Sequence, residues 1–394
     1  MERSHATEGT QIESDIVILY TQFSINKNYI RLPETGSISV IQEKNGIYKH
    51  QNRKFTKNII ALIFIVIFVT VFILSVSVGS VDISFADTIR IVLKKMLGIG
   101  NIANIPESLS IIIQSVRIPR VILSALVGAA LSVSGTSMQG LLRNPLADSS
   151  TLGVSSYAAL GAVITIALRI QIPIVPQLGI TVISIIFAFV SLLLILALSY
   201  KIDHNLSTNT IILTGVIMSM FAGSIISFIV SMSGDQMKNI IFWTMGSFSG
   251  RGWEYVWLVL PFMVVGFIGV LRYSRELNAF ALGEEKAGYI GVNTKKVKIK
   301  LLVFVSILVG VSVSVSGTIA FVGLVIPHIT RMLTGPNHKV LMPMSLITGA
   351  SFMMITDLVS RTVLRPSELP IGVVTSLIGS VIFIYIFYTK RQKQ

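Results

Sequence analysis

The sequence predicts an all-α, polytopic membrane protein of about ten transmembrane helices. Three observations lead there. Of 394 residues, 52% are hydrophobic and only 13% charged, whereas a water-soluble chain of this length needs far more charge to cover its surface. Mean hydropathy is +0.78. Apolar stretches long enough to cross a bilayer recur along most of the chain, with the cations clustered between them. The net charge of +14 therefore follows membrane topology; there is no basic face interleaved with stacking aromatics, and nucleic acid is not an expected partner.

In chain order, residues 1–56 are polar and of mixed charge, with no sustained helical or strand period. They form a poorly ordered cytoplasmic extension to which no function is assigned. The membrane domain follows over 57–390 and a short cytoplasmic tail over 391–394. The first apolar run, Ile59 to Val78, exceeds a signal-peptide h-region and lacks a small-residue cleavage site, so it reads as a retained span. Spans are predicted near 58–79, 118–140, 152–169, 178–199, 209–231, 255–271, 298–330, 341–360 and 370–388.

The 298–330 stretch is too long for one ordinary helix. Charge divides it. The densest basic loop, 272–300, and the pair Arg331 and Lys339 belong on one side, so the chain crosses twice between them and turns back near Gly317. Ten spans result. With residues 49–57 inside, inner loops hold 18 Lys and Arg and outer loops 10, and both termini fall in the cytoplasm. Trp243, Trp253 and Trp257 then mark the outer interface, where 236–248 is a helix too short to cross.

Catalytic signals are absent. The sequence contains no G-x-x-x-x-G-K-[ST] phosphate loop, no Ser/His/Asp constellation and no facing carboxylates, so no enzyme activity is expected of this chain. Without cysteine, thiolate metal sites and disulfides are excluded. The five histidines are scattered, and no metal site or bound cofactor is expected. His328 reads as a packed residue, and Met138, Met218, Met220 and Met232 read as core packing.

One interruption stands out: GLLRNPLADSSTLG at 140–153, polar and proline-broken between apolar stretches. Backbone groups freed by such a break must be met by water or protein. The segment is therefore a surface turn or the border of an aqueous path, with Asp148 and Ser149 suited to start the next helix. Both readings stand on the residues alone.

Several long motifs in series carry a resemblance: RIPRVILSALVGAALSVSGTSMQGLLRNPLADSSTLGVSSYAALGA, WTMGSFSGRGW, ALGEEKAGYIGVNTKKVK, SGTIAFVGLVIPHITRMLTGPNHKVLMP and DLVSRTVLRPSELPIGVVTSLIGSVIF. Over roughly 58–390 the chain resembles the FecCD-type permeases, membrane subunits of bacterial ABC importers for iron–siderophore complexes, haem and cobalamin. The resemblance implies the type II ABC importer permease fold in the bacterial plasma membrane. Its implied cargo is a ferric siderophore, moved by ATP-driven alternating access.

Site residues follow from the same resemblance. Asn144, Pro145 and Leu146, with Leu206, Ser207 and Thr208, match the two cytoplasmic gate turns. Arg117, Arg120 and Arg361 match arginines that receive acidic side chains of an extracellular substrate-binding protein, a task suited to a permanently charged, bidentate guanidinium; span-end snorkelling is the alternative. Leu282, Gly283, Glu284, Glu285, Ala287, Gly291 and Val292 match the loop that docks on an ATPase subunit. Implied partners are a second permease (identical or paralogous), two ATPase chains holding Mg-ATP, the binding protein and membrane lipid.

Two other classes compete. A gradient-driven secondary transporter calls for ionisable groups near the bilayer midplane, yet Asp357 is the chief candidate and lies near a span end. A membrane sensor or scaffold would work through the N-terminal extension.

Overall fold

The computed structural model describes residues 59–79, 83–99, 105–148, 152–173 and 178–391. The N-terminal extension and the last three residues lie outside the described residues. All regular structure among the described residues is helical. The helices are α1 (Ile59–Ser77), α2 (Phe85–Leu97), α3 (Glu107–Leu141), α4 (Val154–Ala167), α5 (Gly179–Ile202), α6 (Thr208–Met232) and α7 (Met237–Thr244). There follow α8 (Trp253–Arg272), α9 (Ser274–Phe280), α10 (Glu284–Tyr289), α11 (Thr294–Ser316), α12 (Val322–Thr334), α13 (His338–Thr362) and α14 (Ile371–Arg391).

Seven of these are long and apolar enough to cross a membrane, namely α1, α3, α5, α6, α8, α11 and α13, and three shorter apolar helices, α4, α12 and α14, accompany them. These are the ten predicted spans. The division of 298–330 falls where charge placed it. Helix α11 ends at Ser316, Gly317 and Phe321 adopt left-handed conformations with φ of 73° and 68°, and α12 begins at Val322. The predicted short helix of 236–248 is α7, preceded by a 3₁₀ turn at Gly234–Gln236.

Two expectations need correction. The chain between the predicted spans 58–79 and 118–140 carries helix that apolar length did not predict: α2 occupies 85–97, and α3 starts at Glu107, eleven residues before the predicted span two. At 35 residues α3 is about 52 Å long, well beyond the roughly 30 Å hydrocarbon core. Pro119 lacks the amide that an α-helix would pair with the carbonyl of residue 115. The wide π turn over Ile112–Arg117 rearranges the bonding immediately before it, so the helix continues through the proline. The polar residues of 107–117 concealed this from hydropathy. Of the pair Asp148 and Ser149, Ser149 lies outside the described residues, and Asp148 belongs to no helix. Helix α4 begins at Val154 with Gly153 as its left-handed N-cap, because a β-carbon on Gly153 would press on the Gly215 carbonyl.

Helix α3 is the centre of the molecule. It packs most extensively on α13, and also on α12, α11 and α8, and nearly every residue from Ile118 to Leu141 is buried. Lipid offers no hydrophobic drive between helices, so close backbone approach through small residues must hold them. Gly128 meets Gly349 of α13 and Gly135 meets Gly323 of α12, each so close that a β-carbon would overlap the facing backbone. By contrast, α6 turns Leu213, Ile217, Phe221 and Phe228 outward, and α14 exposes Leu377, Val381 and Ile384.

Candidate functional site

The basic loop and the two gate-like turns share one end of the bundle. In the first turn, the Leu146 amide donates to Asn144 Oδ1 at 2.9 Å and the Ala147 amide to the Asn144 carbonyl at 3.1 Å. Pro145 has no amide N–H that would need an acceptor there, and Leu146 projects outward. Arg143 just before them has φ of 51°. The second turn is built around Asp203, whose carboxylate accepts from the amides of Asn205 (2.9 Å) and Ser207 (2.8 Å). These bonds favour the ionised form and lower the Asp203 pKa to about 2. Ser207 then caps α6 by accepting from the Thr210 amide. Between them Leu206 takes φ of 52° with its side chain buried, a conformation that costs a non-glycine residue about 1 kcal/mol or more.

The basic loop presents α10 on this face. Gly283 (φ 114°) and Gly291 (φ 90°) bracket it, and Glu284 and Glu285 occupy its first turn, where the helix dipole favours anions. Leu282 and Gly283 precede the helix and Val292 follows it, so the regular part is shorter than the matching motif. Ala287 is fully buried, whereas Leu282, Tyr289 (87% exposed) and Ile290 stand out from the surface.

A side chain at the end of the quoted motif, beyond the residues matched to the docking loop, ties loop to turn. Lys298, on α11, is 1% exposed. Its ammonium donates to Glu284 Oε1 at 2.6 Å and to the Leu206 carbonyl at 2.7 Å. Lys295 beside it donates to the His204 carbonyl at 2.7 Å.

The three arginines meet at the opposite end, buried within the fold. Arg117 donates to the carbonyls of Val76 and Ser77, and Arg361 to those of Ser75 (2.9 Å) and Val78 (3.2 Å). Two guanidiniums thus satisfy carbonyls that α1 leaves open at its C-terminus. Asp357, 1% exposed, pairs with Arg120 at 2.9 Å and Arg361 at 3.0 Å. Glu368 closes the group with a bidentate pair to Arg120 at 2.8 and 3.0 Å. All three arginines line one recess of about 390 Å³, together with Arg251, Glu254 and Glu368. Arg117 and Arg120 lie within α3, well past its start at Glu107, and Arg361 lies in the last turn of α13. Trp253, stacked on Trp257 at 5.9 Å, braces the same end by donating to the Gln114 carbonyl at 2.8 Å.

Between the two ends lies a cavity of about 720 Å³ walled by α4, α14, the end of α7 and the irregular 318–321 segment. Ser155, Ser156, Thr318 and Ser376 give its polar points; Phe321 and Leu377 give apolar wall. Irregular backbone is tolerated at this depth because it lines a cavity. The methionines divide: Met138 is core, and Met218 touches the Tyr157 hydroxyl at 3.8 Å, but Met220 and Met232 are exposed on α6.

Sequence reasoning missed Lys298, Asp203 and Arg251. Lys298 shares the helical stripe of the buried Leu301, Leu302 and Val305, a signal hidden by the solvated-looking run KKVKIK. Asp203 stands two residues ahead of the amide it accepts from, the spacing of an Asx-turn, just before the matched motif. Arg251 lies within the quoted SGRGW.

Comparison with known proteins agrees with this architecture. The FecCD transport family model matches residues 65–389. The ABC transporter permease protein YvrB of Bacillus subtilis is 43% identical over 87% of this chain and 96% of its own. The cobalamin import permease BtuC of Halobacterium salinarum is 39% identical over 72% of this chain and 74% of its own. A solved structure described as an inward-facing metal-chelate-type ABC transporter superposes with a TM-score of 0.73 at 30% identity, covering 84% of this chain and 99% of that one. With ten apolar helices in the matching order and a family match spanning nearly all of them, the chain belongs to the FecCD family of ABC importer permeases.

Proposed function

We propose that this chain is the translocation subunit of an importer that carries a metal chelate, a ferric siderophore, into the cytoplasm at the expense of ATP hydrolysed on separate chains. The observation that carries the reading is α10. A six-residue helix outside the membrane spans, holding Leu282, Tyr289 and Ile290 outward from its ends, suits insertion into a groove of a partner and has no use on a solvated loop. In this reading the basic face is cytoplasmic, α10 receives the ATPase, and the turns at 144–146 and 206–208 close the passage. Two permeases, as homodimer or paralogous pair, place their exposed α6 and α14 faces together, and the hydroxyl-dotted cavity becomes half of a channel. The outer binding protein brings carboxylates to the recess of Arg117, Arg120 and Arg361, where buried guanidiniums are already stripped of water. Burial of Asp357 between two arginines removes the best candidate proton relay of a secondary transporter. Likeness to a cobalamin permease keeps cobalamin, beside haem, as an alternative cargo.

The test is uptake into vesicles holding the permease with its ATPase and binding protein. ATP-dependent accumulation of iron-labelled siderophore is expected, with cobalamin and haem as parallel arms. Accumulation by the permease alone on an ion gradient would overturn the reading.

A further inference from the structure

Two segments must move together if closure of an ATPase is to open a gate: the docking helix and the turn at 203–208. They are 75 or more residues apart in sequence, and among the described residues one side chain hydrogen-bonds to both. Lys298 is buried at 1% exposure, and its ammonium touches both: Glu284 in the first turn of α10, and the carbonyl of Leu206 at the centre of the turn. Both contacts are charge-assisted and short, and the ammonium lies where water competes poorly. The Leu206 peptide is held in a left-handed conformation, a local arrangement that persists only while its surroundings enforce it. Lys298 supplies part of that enforcement. Glu284, whose side chain is 42% exposed, belongs to the helix that the partner would grip. A displacement of α10 therefore pulls on the ammonium and, through it, on the backbone of the turn.

We propose that Lys298 is the positioning residue that transmits movement of α10 to the 203–208 turn. This rests on the importer reading above, and the experiment separates the two. The chain contains no cysteine, so labels placed at Asn205→Cys and Lys286→Cys, both exposed positions, are unique. The distance between them is measured by electron spin resonance in the permease alone and in the assembled, ATP-loaded complex. In the wild type the distribution is narrow and stays so across states. In Lys298→Met it broadens in both samples, and in the reconstituted importer uptake per ATP falls about tenfold while hydrolysis continues. Lys298→Arg, which restores a two-ended donor, recovers most of the coupling. Glu284→Gln keeps a partly exposed side chain in place and gives a smaller loss of the same kind; it decides the matter if Lys298→Met does not fold. Narrow distances and unchanged uptake per ATP in both variants would overturn the assignment. A wild type that neither binds an ATPase nor transports would instead overturn the importer reading, and the distances in the isolated permease would still judge the link.

Discussion

Asp357 holds two guanidiniums inside the protein, and its loss leaves both short of a partner. Breaking one side of a buried ion group costs about 3–5 kcal/mol, so Asp357→Ala is expected to lower the thermal midpoint of the purified protein sharply. Fluorescence-detected size exclusion after heating checks this. Glu368→Ala, at the exposed edge of the same group, should cost about 1 kcal/mol or less. Asp203 makes a prediction about pH. Its pKa is depressed to about 2, so the turn it organises is fully supported above the ordinary carboxylate value of about 3.9 and loses that support only as pH falls toward 2. Titration of the carbon-13-labelled Asp203 carboxyl, assigned by its loss in Asp203→Asn, is expected to show a midpoint near 2, and a midpoint near 3.9 would contradict the bonding described. At this scale the sequence was uneven evidence. The arginines were legible as a group, and Glu368 as a carboxylate placed to pair with one of them, but Asp357 as their buried partner was not, because Arg120 and Asp357 are brought together only by the packing of α3 on α13.

At the scale of elements, α3 and its neighbours depend on missing side chains. Gly135→Leu would drive a branched side chain into the Gly323 backbone, and overpacking of this kind in a site that cannot yield costs about 3 kcal/mol or more. Expression of folded protein should fall, with Gly223→Leu, at an open position on α6, as the tolerated control. The docking helix offers the opposite case. Tyr289→Ala removes a side chain that contacts little within the chain, so the melting temperature should hold while co-purification of the ATPase weakens. Spans were readable from apolar length and from charge, including the turn at 317–321. The early start of α3 was not, since residues 107–117 carry too many polar side chains to register as membrane helix. The Gly153 cap was equally hidden: its need arises from the nearness of α6, which no local pattern encodes.

Taken whole, the molecule keeps its polar chemistry at two ends and leaves broad apolar faces on α6 and α14. Light scattering with detergent subtraction is expected to give two permease copies in the assembled importer; a single copy would contradict the shared channel. The tight pairing of α3 with α13 has a mechanical consequence. Backbones in contact at Gly128 and Gly349 leave no side-chain cushion to shear, so these two helices travel as one rigid keel. In the importer reading proposed above, α3 and α13 therefore move as one body, and any rearrangement falls on the helices packed around them.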